Sequence, residues 1–175
     1  QRPPDIDLQR MGAWAMNYLI RTPRPQLGYE PVFQCHPLQC PPTPANSDPI
    51  VACDTDARLD WEWYFMRDVS GSDAGKDIEA AFHKRMRDYV GPDGRVFSHP
   101  GAYNEGAPNA QYEDKDKVVH VWGATKILKS LSEDYARTQN PASKELAAKV
   151  MHALKKLATW DERGRCFLPA GMGAL

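Results

Sequence analysis

A repeat runs through this chain, and it restricts the possible folds more than any other feature. Ile78, Phe82, Met86 and Tyr89 form an apolar stripe at i, i+4, i+8 and i+11, and Leu146, Val150, Leu154 and Leu157 restate it 68 residues later. Upstream, Leu59 and Trp63 map onto Ile127 and Leu131 at the same offset, and the turn Ser70-Gly71-Ser72-Asp73 maps onto Thr138-Gln139-Asn140-Pro141. Downstream, Gly94-Arg95-Val96-Phe97 matches Gly164-Arg165-Cys166-Phe167 with two residues inserted. Apolar periodicity alone fits any two amphipathic helices. The matching turn and the matching end make the two segments copies of one unit.

Each unit reads as helix, short turn, helix, long loop. Helices are expected at about 56–69, 74–90, 118–138 and 141–159, with a fifth at about 5–21. Asp5 is the expected N-cap of that fifth helix, and Leu8, Met11, Ala15, Tyr18 and Leu19 its apolar face. Loop lengths alternate: 22–54, 91–117 and 160–175 are long, and the other two connections are short. In an up-down array successive connections fall at opposite ends, so all long loops leave from one end. The expected class is therefore all-α, a single domain over 1–175 built as part of an (α/α) hairpin toroid. Five helices are too few to close such a ring, so the remainder of the toroid or a second chain is expected to complete it. A tetratricopeptide-type solenoid, with repeats near 34 residues, fits a 68-residue period poorly.

Composition narrows the partners. The chain has 22 basic and 23 acidic side chains, for a net charge of −1, which offers no electrostatic footprint for nucleic acid or an anionic membrane. No run approaches the ~20 apolar residues of a membrane span. Prolines crowd residues 23–49, yet Tyr29, Val32, Phe33, Leu38 and Ile50 interrupt them, as in an ordered loop rather than a linker. Four cysteines leave the redox compartment undetermined.

The stretch VHVWGATKILKSLSEDYARTQNPASKELAAKVMHALKKLA resembles the helix-pair repeat of six-hairpin glycosidases, and DTDARLDWEWYFMRDVSGSDAGKDIEAAFHKRMRDYVGPDGRVF resembles the repeat beside it. That group includes β-L-arabinofuranosidases and unsaturated-uronyl hydrolases. The likeness covers about residues 54–175. It implies a twelve-helix (α/α)6 ring of which this chain would be the opening portion, and a carbohydrate substrate.

Glycosidases need two carboxyl groups, one protonated to assist departure and one ionised as base or nucleophile. Asp54 and Asp56 follow the longest loop at the head of the 56–69 helix, where helix capping is the competing role. The 91–117 loop adds His99, Tyr103, Asn104 and Glu105, a mixture of aromatic faces and polar groups suited to sugar rings and their hydroxyls. Its run from Glu113 to Lys117 reads as solvated. Asp54, Asp56 and Glu105 are the catalytic candidates. Arg58, His99, Tyr103, Asn104, His120, Trp122 and His36 are the substrate-binding candidates, with Glu30 and Gln34 further contacts from the first loop. The resemblance makes an aromatic or His at 120–122 a substrate contact, and the 68-residue offset sets Trp122 opposite Asp54.

Cys35, His36, Cys40 and Cys53 could bind zinc tetrahedrally. They lack a C-x-x-C pair, however, and Pro37, Pro41 and Pro42 stiffen the backbone, so no metal or cofactor is expected. There is no G-x-G-x-x-G, Walker loop, H-E-x-x-H or G-x-S-x-G, which argues against nucleotide cofactors and serine-hydrolase chemistry. The expected function is glycoside hydrolysis by paired carboxylates. The alternatives are a polysaccharide lyase on the same scaffold, using Tyr103, His99, Asn104 and Arg58, and a non-catalytic helical-repeat module that binds a sugar or a protein.

Overall fold

A computed structural model describes residues 6–31, 34–36, 43–45, 52–98, 100, 119–168 and 172–173. It is mostly helical. The helices are α1 (Leu8–Arg21), α2 (Ala52–Ser70), α3 (Lys76–Arg87), α4 (Val121–Thr138) and α5 (Pro141–Leu157). The strands are two- and three-residue pieces: β1 (Pro23–Arg24), β2 (Glu30–Pro31), β3 (Gln34–His36), β4 (Thr43–Ala45), β5 (Val119–His120), β6 (Thr159–Trp160), β7 (Cys166–Phe167) and β8 (Met172–Gly173). They pair antiparallel as β1–β2, β3–β4, β5–β8 and β6–β7. No sheet runs through the described core.

The repeat reads directly as burial. Phe82 and Val150 are both fully buried, Met86 and Leu154 are buried too, and Ile78 and Leu146 pack at the margin of the same core. Trp63 and its counterpart Leu131 are buried, with Ile127 and the half-buried Leu59 one turn before. Emptying one of the large positions, Trp63 or Phe82, by alanine would cost about 3–5 kcal/mol.

Side-chain contacts fix the direction of the helices. Asp60 meets Ser130, Tyr64 meets Asp134 and Asp68 meets Arg137, so α2 and α4 run side by side in the same sense. Arg67 meets Glu79, Asp60 meets His83 and Asp56 meets Arg85, so α3 runs back along α2. The turns between paired helices are short. Gln139 closes α4 in the left-handed conformation (φ 56°), and Asn140 caps α5 by accepting from the Ala142 N–H, with Pro141 in the first helical turn. The long connections 22–51 and 88–120 both lead to the N-terminal ends of α2 and α4, which lie at one end of the array. The β5–β8 pairing brings the third connection to that same end.

Three expectations need correction. Asp7, not Asp5, caps α1, its carboxylate accepting from the Arg10 N–H at 2.9 Å; Asp5 lies outside the described residues. The face expected to be buried is also turned. Gly12, Met16 and Leu19 pack inward while Leu8, Met11 and Tyr18 are exposed. The cause is the close crossing at Gly12, where a Cβ would stand 2.7 Å from Val69 Cγ1; only that side of α1 admits the backbone of α2. Helix α2 also begins earlier than expected, at Ala52, so Asp54 lies in its first turn and Asp56 inside the helix rather than at the cap.

Candidate functional site

Asp54 and Asp56 sit two positions apart on α2, roughly 200° around the helix axis. They therefore face different surroundings. Asp56 is 1 % exposed and turned toward α3, where its Oδ2 accepts from Arg85 Nε at 2.9 Å and from the Tyr89 hydroxyl at 2.5 Å. Burial pushes its carboxyl up to about 6 against the lowering pull of Arg85 and Tyr89. This geometry makes Asp56 a clamp between α2 and α3.

Asp54 faces the N-terminal end of α4. Its Oδ2 pairs with Arg58 Nη2 at 2.8 Å, one turn along the helix. The Arg58 guanidinium in turn lies 5.9 Å from the ring centroid of Trp122, which is 55 % exposed. Asp54 Oδ1 is buried and has no hydrogen-bond partner among the described residues.

His120 completes the group. It is 1 % exposed and caps α4, its Nδ1 accepting from the Gly123 N–H at 2.7 Å. Burial lowers its pKa although Asp54 pulls the other way, so the ring is neutral. A neutral imidazole whose Nδ1 accepts carries its proton on Nε2. That Nε2–H is also buried, with no acceptor among the described residues. Gly123 permits the assembly, because a Cβ there would run into Cys53 Sγ on α2 and stand 3.0 Å from His120 Nδ1.

The fold thus brings Asp54, Arg58, His120 and Trp122 together and sends Asp56 elsewhere. Glu105, His99, Tyr103 and Asn104 lie outside the described residues. His36 is described only as part of the β3 backbone, so its side chain and the proposed zinc set, including Cys40, lie outside as well. Cys53 is a free, buried thiol, its pKa raised by burial and by Asp56 and Asp54. Among the described residues no cluster of His, Cys, Asp or Glu could hold a metal ion. Nor, among them, is any helix long and apolar enough to cross a membrane.

Sequence reasoning missed two things. The first is Glu62, which with Thr55, Arg58 and Leu59 lines an open depression of about 200 Å³ on the face of α2 beside Arg58. Burial raises its carboxyl pKa. Its spacing from Arg58 and Thr55, four and seven residues, is the signal that places it on their face.

The second is a buried polar ladder. Asp60 accepts from Ser130 and bonds His83, Glu79 takes Arg67 and His83, and Asp134 accepts from Tyr64, Ser143 and Arg87. Asp60, Tyr64, His83, Arg87, Ser130 and Asp134 of this ladder line a void of about 10 Å³, room for about one water. The ladder ties four helices together and is too closed to receive a substrate.

No family model, curated protein or solved structure matches the chain.

Proposed function

We propose that this chain is part of a glycoside hydrolase built on an (α/α) hairpin toroid, with its glycan bound at the N-terminal ends of α2 and α4. Two same-sense helices with antiparallel mates, repeated at a fixed interval and with long connections at one end, support the ring. The observation that carries the function is a pair of buried atoms at that end without a partner among the described residues, an acceptor on Asp54 and a donor on His120. Buried polar groups are nearly always bonded, and an orphan costs about 1–3 kcal/mol. One ligand group that both accepts and donates would satisfy the two at once. A sugar hydroxyl is such a group. Trp122 offers an exposed ring for the apolar face of a sugar, and Arg58 pairs with Asp54. In this reading Asp54 is the base or nucleophile of the catalytic pair, and Glu62 or Glu105 is its acid partner.

Two substitutions separate capping from binding. His120→Asn keeps an acceptor near the Nδ1 position, and Asn is a favoured N-cap, but the Nε2–H is gone. The variant should melt within about 1 kcal/mol of the parent, while binding of neutral or uronate oligosaccharides, read by calorimetry, weakens roughly tenfold or more. His120→Gln should do the reverse, costing the cap and preserving part of the binding. Equal binding by the Asn variant and the parent would remove His120 from the site. A parent that binds none of the oligosaccharides would remove the glycan.

A further inference from the structure

Asp54 and Glu62 lie on the same unbroken helix, α2, eight residues apart. That spacing amounts to about 12 Å of rise and about 80° of turn around the axis. Side chains on a helix lean toward its N-terminus, so the lean moves both carboxyl groups together and does not close the gap. Glu62 is the longer by one methylene, which shortens the separation without bringing the two into contact. Arg58 stands one turn from each and occupies the turn between them. It is shared by both surroundings: its Nη2 pairs with Asp54 Oδ2 at 2.8 Å, and with Glu62 it lines the open depression of about 200 Å³.

The two carboxyl groups meet different environments. Asp54 has a guanidinium beside it. Glu62 is half-buried, and among the described residues it makes no hydrogen bond or ion pair. Burial raises its carboxyl pKa, and no neighbouring charge among those residues opposes that. A carboxyl partly withdrawn from water, without a counter-charge and open to a cleft, is placed to hold a proton and deliver it.

Separation decides the stereochemistry. A retaining pair stands about 5–5.5 Å apart, because one carboxylate attacks the sugar itself, and an inverting pair about 6.5–9.5 Å apart, to admit a water. With Arg58 between them, Asp54 and Glu62 do not reach the closer spacing. Resting on the glycosidase reading above, we propose that Glu62 is the general acid and Asp54 the general base of an inverting hydrolysis. Glu62 gives its proton to the glycosidic oxygen as the bond from that oxygen to the anomeric carbon breaks. Asp54 takes a proton from a water, whose oxygen bonds to the anomeric carbon from the opposite face. The products are the leaving alcohol and a sugar hemiacetal of inverted configuration. Glu62 ends ionised and Asp54 protonated, and exchange with solvent restores both.

Two readouts test this on a glycoside that the parent hydrolyses. Proton NMR of the first-formed product should show the anomeric configuration opposite to that of the substrate, and this needs no variant. Glu62→Gln keeps the shape and loses the proton. It should slow hydrolysis of an alkyl glycoside roughly 10²–10⁴-fold yet leave the dinitrophenyl glycoside of the same sugar near the parental rate, because that leaving group departs unprotonated. A purely structural role would slow both alike. A first-formed product of retained configuration would overturn the proposal and leave the glycosidase reading standing. So would a folded Glu62→Gln variant with no loss on the alkyl glycoside, or with equal losses on both. A parent that hydrolyses no glycoside would remove the reaction and this assignment with it.

Discussion

Gly123 sets how near α4 approaches α2, and through that contact it sets the spacing of Asp54 and His120. A Cβ there meets the Cys53 sulfur and the His120 ring, both buried, so neither can yield without moving a helix. Gly123→Ala should therefore cost about 1–3 kcal/mol of stability, read by denaturant unfolding, and should weaken oligosaccharide binding in parallel. Stability equal to the parent would mean that the helix ends adjust freely and that the pair is not held. The sequence marked Asp54 and His120 as residues at the loop-bearing end. It could not assign Asp56, because an aspartate at a helix start looks the same whether it faces ligand or clamps a neighbour. The deciding partners, Arg85 and Tyr89, lie 29 and 33 residues away.

Between helices α2 and α3 the contacts are more ionic than the apolar stripe suggests. Asp56, Asp60 and Arg67 on one helix meet Arg85, His83 and Glu79 on the other, opposite charges in antiparallel order. This complementarity is written in the sequence, but charged residues on a predicted helix are ordinarily read as its solvated face. His83 reports on it. Burial alone would lower its pKa, yet Asp60 and Glu79 raise it from 6.5 to about 9. A raised folded-state value means a stabilising contribution that is complete below pH 6.5 and lost as pH rises through 9. Denaturant stability should accordingly fall between those two values, by on the order of 1–3 kcal/mol. His83→Gln should be less stable at low pH and flat across the same interval. An equally steep fall in the variant would assign the titration to another group.

Across the whole molecule, the all-α class and four of the helices were legible because the core positions recur at one offset. Phe82 and Val150, or Met86 and Leu154, are buried for the same reason. Helix α1 was legible as a helix and not as a packed element. Its apolar stripe suggested a buried face, whereas the close approach at Gly12 and Val69 turned that face so that Leu19 of the stripe stays inward and Leu8, Met11 and Tyr18 do not. Nothing local in the chain reports that crossing. The likeness of the β1–β2 hairpin to the Tyr89–Phe97 turn was hidden for a different reason: Pro23, Arg24, Glu30 and Pro31 share no residue types with Tyr89, Val90, Val96 and Phe97, and only backbone register relates them. The site inherits this unevenness, since its position follows from the repeat and its chemistry from contacts between units.

Turnover on a panel of polysaccharides and oligosaccharides, for the parent and for Asp54→Asn, tests the functional reading most directly. Reducing ends released without a 235 nm unsaturated product identify hydrolysis, and an unsaturated product identifies a lyase. Hydrolysis by the parent is expected, with a loss of roughly 10²–10⁴-fold in the folded Asp54→Asn variant, the usual contribution of a general acid or base. A folded variant that turns over at the parental rate would contradict it, as would a parent that releases no sugar from any member of the panel.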